Sequence, residues 1–165
     1  MGDEVPDGDG ANRSDGDVRL VRGPIDPGAV LARVADHAAG GNVLFLGTTR
    51  GVTDGVVTVR LEYEACEPLA LSMLSDLRAE AVRRYGLCGC ALVHRLGAVG
   101  PGEASVAVAA SAPHRREAFE AAAWLLERVK AAVPVWKCDE GEGGAREWIH
   151  PCLLYTSDAA DDTPC

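Results

Sequence analysis

The sequence predicts an α+β fold, with a mixed or antiparallel sheet and three main helices. Three observations predict it. Strand-like segments follow one another with no helix between them, Asn42–Thr48 before Val57–Glu64 and Cys88–Leu96 before Ala104–Ala110. A purely parallel, doubly wound sheet would need a crossover helix after each strand. Three other segments carry apolar residues at helical spacing between proline and glycine boundaries. Finally, 47% of the 165 residues are hydrophobic but only 5% are aromatic, so one domain can bury a core built from Val, Leu and Ala.

Each element has a local reason. Val18–Val21 reads as a short strand. Asp26-Pro27 opens a helix, a side-chain cap followed by proline in the first turn, and that helix should run to about Ala39 and stop at Gly40-Gly41. Asn42–Thr48 is a mostly apolar strand and Arg50–Gly55 a loop. Val57–Glu64 alternates, with Val57, Val59, Leu61 and Tyr63 on the face expected to be buried. Glu67–Tyr85 is the second helix, with Ala70, Met73, Leu74, Leu77 and Ala81 on its apolar stripe and Gly86 at its end. Cys88–Leu96 is a strand, Gly97–Gly102 a turn and Ala104–Ala110 a strand. Pro113 opens the third helix, which reaches about Ala132 because Pro134 blocks its continuation. Val135–Cys138 and Glu147–Ile149 are short strands around a glycine-rich loop.

Charge divides the chain into three parts. Of the net −9, residues 1–17 carry −5 and residues 155–165 carry −3, which leaves −1 for residues 18–154. A near-neutral body gives no electrostatic case for a nucleic-acid partner. Residues 1–17 lack apolar content and read as a disordered acidic extension. Residues 151–165 look foreign to the domain and resemble translated adapter sequence, so the domain is placed at 18–150. No apolar run reaches the roughly 18–20 residues that span a bilayer. The acidic start lacks the basic and apolar regions of a signal peptide. A cytoplasmic protein is expected, with its six cysteines (66, 88, 90, 138, 152, 165) as free thiols.

Lysine usage is the strongest chemical clue. Fourteen of the sixteen basic residues are arginine, and the two lysines, Lys130 and Lys137, stand seven positions apart. Arginine holds its proton, whereas lysine can exchange one in a suitable environment. In the third helix the apolar stripe reads Phe119, Ala122, Ala123, Leu126 and Val129. At about 100° per residue Lys130 returns to within roughly 20° of Phe119, on the side expected to be buried. The competing reading is a lysine that extends past the core and neutralises the helix C-terminus. Strand alternation puts Val135 and Lys137 on one face and Trp136 and Cys138 on the other.

Other candidates are weaker. His114-Arg115 begins the third helix, where free N–H groups and the helix dipole favour an anion. Arg50 ends a strand between Thr49 and Gly51 and can reach into a cleft. Cys88, Cys90 and His94 share a strand face, but their spacing matches no zinc pattern. The strand–GxGxxG–helix and GxxxxGK[ST] patterns are absent, so no nucleotide cofactor is expected. Glu62 and Glu64 share a face without further support for a catalytic pair.

Taken together, FLGTTRG (Phe45–Gly51), LEYEA (Leu61–Ala65), HRLG (His94–Gly97), Pro101-Gly102, HRREAFEA (His114–Ala121) and the run from Leu126 to Lys137 ending VPVWK resemble the molybdopterin synthase large-subunit family. The resemblance covers about residues 18–150. It implies an α/β-hammerhead-like fold and a sulfurtransferase of molybdenum cofactor biosynthesis. The implied substrate is a cyclic pyranopterin monophosphate. The implied sulfur donor is the C-terminal thiocarboxylate of a small ubiquitin-like subunit. It further implies a homodimer at the centre of a heterotetramer, with pocket residues drawn from both copies, and no metal or cofactor. By the same resemblance Lys130 and Lys137 are the catalytic amines. Thr48, Thr49, Arg50, His114, Arg115, Cys138 and Asp139 are the residues expected at the substrate. Two alternatives remain: a non-catalytic module that docks a ubiquitin-like partner, and a thiol or metal enzyme built on Cys88, Cys90 and His94.

Overall fold

The computed structural model describes residues 14–149. The foreign-looking tail and residues 1–13 of the acidic extension lie outside them. Ser14–Asp17 form one helical turn, α1, and buried Asp17 accepts a hydrogen bond from Arg78 at 2.7 Å.

The chain then runs β1 (Val18–Val21), α2 (Pro27–Arg33), β2 (Gly41–Thr48), β3 (Val52–Thr53), β4 (Val56–Ala65) and α3 (Glu67–Tyr85). It continues through β5 (Gly89–Arg95), β6 (Gly97–Val99), β7 (Ala104–Ala112), α4 (Arg115–Ala132), β8 (Val135–Gly141) and β9 (Arg146–Ile149). One sheet has the order β1-β5-β7-β2, with β1 and β5 parallel and the other pairs antiparallel. The second has the order β3-β4-β8-β9, is antiparallel, and carries β6 on β4. The class is α+β with three main helices, as the unbroken strand pairs required.

Alternation on the central strands builds a layer on each side of the first sheet. Cys90 and Leu92 of β5 and Val106, Val108 and Ala110 of β7 face α3 and α4. Ala91, Val93, Ala107 and Ala109 face α2 through Val30 and Val34. Both faces are therefore apolar, which is why these strands read as continuous hydrophobic runs. Small residues allow close layers. A Cβ on Gly41 would lie 2.9 Å from the Arg115 Cα, so this glycine lets β2 approach the start of α4.

Four elements differ from the sequence reading. Helix α2 stops at Arg33 rather than near Ala39, because Val30 and Val34 complete its buried face and the Asp36 carboxylate then accepts from the Ala38 N–H at 2.8 Å in a separate turn. The Gly97–Gly102 turn begins with strand β6, which adds to the edge of β4. The Arg50–Gly55 loop holds β3, folded back on β4. In β4 a bulge leaves Val59 without a partner, since Thr58 pairs with Gly141 and Arg60 with Glu140. The face therefore changes at that point: Thr58 and Leu61 are buried, while Val57 and Val59 are exposed.

Candidate active site

A cleft of about 590 Å³ lies where the two sheets meet the C-terminal end of α4. The end of β2 and the following loop supply Thr48, Thr49 and Arg50; the last turns of α4 supply Val129 and Lys130; β8 supplies Lys137 and Asp139. The loop is held by its backbone. Thr49 N–H donates to the Glu103 carbonyl at 3.0 Å and its carbonyl accepts from Gly102 N–H at 2.8 Å. That bracing leaves the Thr49 side chain buried, with its Oγ1 lacking a hydrogen-bond partner.

The two lysines, separated by a helix end and a turn, thus share one hollow. Val133 closes α4 by donating its N–H to the Val129 carbonyl at 3.2 Å, and Pro134 starts the reversal into β8. Alternation on β8 then directs Lys137 and Asp139 to the cleft.

Several expected site residues are placed differently. Lys130 is exposed rather than on the buried side. The buried stripe of α4 is Ala118, Ala121, Ala122, Leu125 and Val129, and Phe119, chosen as the anchor from sequence, is 62% exposed. Lys130 does align with Phe119, but that side of the helix faces outward. Cys138 does not line the cleft. It is fully buried on the opposite face of β8, its Sγ directed at the Asp139 carbonyl.

His114 and Arg115 lie in a separate hollow of about 480 Å³, together with Gly40 and Pro113. The fifteen helical steps from Arg115 to Lys130 span roughly 22 Å. Within one chain these cations do not join the lysines.

The cleft also contains polar groups that the sequence reading left out of the site. His94 is buried, and its Nδ1 sits 2.9 Å from the Arg95 carbonyl oxygen. Its ring meets the Tyr63 ring edge to face, 5.2 Å between centroids and 68° between planes. Burial lowers the His94 pKa, with the Arg95 hydrogen bond pulling the other way. Burial raises the Tyr63 pKa, opposed by its hydrogen bond with Ser105. Ser105 in turn donates to the Gly47 carbonyl at 3.3 Å. Tyr63 was legible as an inward-facing strand position and His94 only as sharing a face with Cys88 and Cys90; nothing in the sequence pointed to Ser105.

The thiol and metal alternative gains no geometry. Cys90 is inside the apolar core, where burial pushes its thiol up to about 12, whereas His94 lies in the cleft. Among the described residues no group of three or more His, Cys, Asp or Glu side chains could hold a metal ion. Among the described residues Cys88, Cys90 and Cys138 are free thiols. No helix among the described residues is long and apolar enough to cross a membrane.

Comparison with known proteins adds the family. The model of the MoaE protein family matches residues 20–132. A molybdopterin synthase catalytic subunit from Coccidioides immitis is 45% identical over 134 residues, covering 79% of this chain and 68% of the relative. One from Bacillus subtilis is 41% identical over 138 residues, covering 84% and 87%. The crystal structure of molybdopterin synthase from Staphylococcus aureus superposes with a TM-score of 0.75 at 34% identity, over 79% of this chain and 94% of that one. A match of this extent, on a fold whose two lysines open into one cleft, places the chain in the MoaE family, the catalytic subunits of molybdopterin synthase.

Proposed function

We propose that this chain acts in the cytosol as the sulfur-transferring subunit of a molybdopterin synthase. It converts a cyclic pyranopterin monophosphate to the dithiolene product with sulfur from a thiocarboxylated, ubiquitin-like small subunit. The observation that carries the reading is the convergence of Lys130 and Lys137 on the cleft that also holds Thr48, Thr49 and Arg50. An anionic substrate needs fixed cations, and the rim supplies three. Lys130, exposed at the mouth, can reach an incoming C-terminal tail and serves as the acid–base group. Lys137, half-buried on the strand, positions the substrate and stabilises charge.

In this proposal the chain works as a dimer, with one small subunit on each copy. His114 and Arg115, remote from the lysines of their own chain, then serve the cleft of the second copy. This arrangement accounts for an anion seat at the start of α4 that has no catalytic neighbour.

Sulfur transfer from a thiocarboxylated small subunit to the pterin phosphate tests the reading directly. Lys130→Ala is expected to abolish turnover while small-subunit binding stays intact. Full activity in that variant refutes the assignment, and a chain that binds the small subunit but never transfers sulfur is a docking module.

A further inference from the structure

The cleft has charged and uncharged walls. Arg50, Lys130, Lys137 and Asp139 line it from the loop, the helix end and the outer sheet, while buried His94, Ser105 and Thr49 and half-buried Tyr63 carry its uncharged polar groups. His94 stands out among these. A carbonyl oxygen can only accept, so the 2.9 Å contact with the Arg95 carbonyl places the hydrogen on Nδ1. Nε2 is left with its lone pair and has no hydrogen-bond partner among the described residues. The Tyr63 edge contact fixes the plane of the ring. Thr49 Oγ1, in the same cleft, is a buried polar atom with no partner. Buried polar groups are as a rule hydrogen-bonded, so this atom, beside the partner-free Nε2 of a buried ring, marks a place for a ligand's polar atoms.

We propose that His94 is a specificity-determining residue that contacts the substrate, its Nε2 accepting a hydrogen bond from an N–H of the pterin ring system. The inference rests on the functional reading above and deepens it by assigning the two ends of the substrate. The phosphate lies among the rim cations, and the uncharged heterocycle, whose edge carries N–H donors, lies at the uncharged wall. No proton is transferred. A neutral imidazole with one nitrogen committed is a fixed acceptor, and burial, which disfavours the imidazolium, keeps it one.

The test uses the full chain with its small subunit and three variants. His94→Phe keeps the ring and its edge contact with Tyr63 but removes the acceptor. His94→Met is a second variant without that acceptor, should Phe disturb the fold. His94→Gln restores an acceptor. Binding of a phosphate-free pterin is followed by its own fluorescence, and steady-state sulfur transfer gives separate KM values for the pterin phosphate and the small subunit. We expect His94→Phe and His94→Met to weaken pterin binding and raise the pterin KM about tenfold or more, with the small-subunit KM unchanged. His94→Gln should stay within about threefold of the parent. Parent-like pterin binding in a folded His94→Phe or His94→Met variant overturns the proposal, as does a His94→Gln variant no better than His94→Phe. Failure of the functional reading looks different: the unmodified chain itself would neither bind the pterin nor transfer sulfur.

Discussion

Lys130 and Lys137 line one cleft from opposite sides of a chain reversal, Lys130 from the last turn of α4 and Lys137 from the second pleat position of β8 facing the same way as Val135. The reversal at Val133–Pro134 sets the relation between the two amines. Neither depends on a flexible loop for its place.

A dimer whose clefts are completed across copies predicts complementation. Lys130→Ala and Arg115→Ala should each be inactive alone. Mixed and allowed to exchange subunits, they should recover activity, because half the dimers are hybrids with one intact site. The expected yield is about a quarter of the parent activity. Sulfur-transfer assays on equimolar mixtures check it; no recovery after confirmed exchange places His114-Arg115 outside the functional cleft.

Cys138 is fully buried and turned away from the cleft, so its thiol is not expected to handle sulfur. Cys138→Ala should retain turnover within about twofold of the parent. Cys138→Ser should unfold more readily, by about 1–3 kcal/mol, where the new hydroxyl finds no partner. A Cys138→Ala variant that folds normally but has lost turnover would restore Cys138 to the site.

Acid should destabilise the fold partly through His94. Its folded pKa is lowered by burial, so the unfolded chain takes up the proton first. Stability is therefore full above the ordinary histidine value of 6.5 and declines as the pH falls from there towards the lowered folded value. Thermal melts of the parent and His94→Gln between pH 7.5 and about pH 5 should converge or cross as the pH drops. An unchanged gap between the two curves would mean that His94 does not titrate in this way.

The buried face of α4 can be tested by a pair of truncations. Leu125 is fully buried, and Leu125→Ala should cost about 2–5 kcal/mol. Phe119 is mostly exposed, and Phe119→Ala should change the stability of the single chain by no more than about 0.5 kcal/mol. Denaturant unfolding under conditions that hold the chain monomeric distinguishes them. Equal losses would reinstate Phe119 as a core residue.

These outcomes trace which features sequence can carry. The end of α3 was legible because Gly86 punctuates it, adopting the left-handed conformation at φ 60°. The common face of Val135 and Lys137 was legible because strand alternation is strict over so short a span. The stripe of α4 was misread by one position because size suggested Phe119 as its anchor, whereas close packing on β2 and β7 selected alanines. The separation of His114-Arg115 from Lys130 within one chain follows from helical rise alone, and in the proposed dimer the second copy joins the two groups. The partner-free Nε2 of His94 had no sequence signature, since it depends on the contact between Nδ1 and a carbonyl.

The unpaired Val59 has a further consequence. Because one residue is accommodated without a partner, β4 is continuous as a strand yet divided as a template for mutation. Val56 and Val57 at the exposed tip can be redesigned while Thr58, Leu61 and Tyr63 keep their aspect towards the cleft. Removing Val59 would restore an unbroken pleat, with Thr58 and Leu61 two positions apart on one face and the flanking cross-strand pairs kept. Removing a residue elsewhere in the strand would have no such slack, and the positions beyond it would exchange wall for surface.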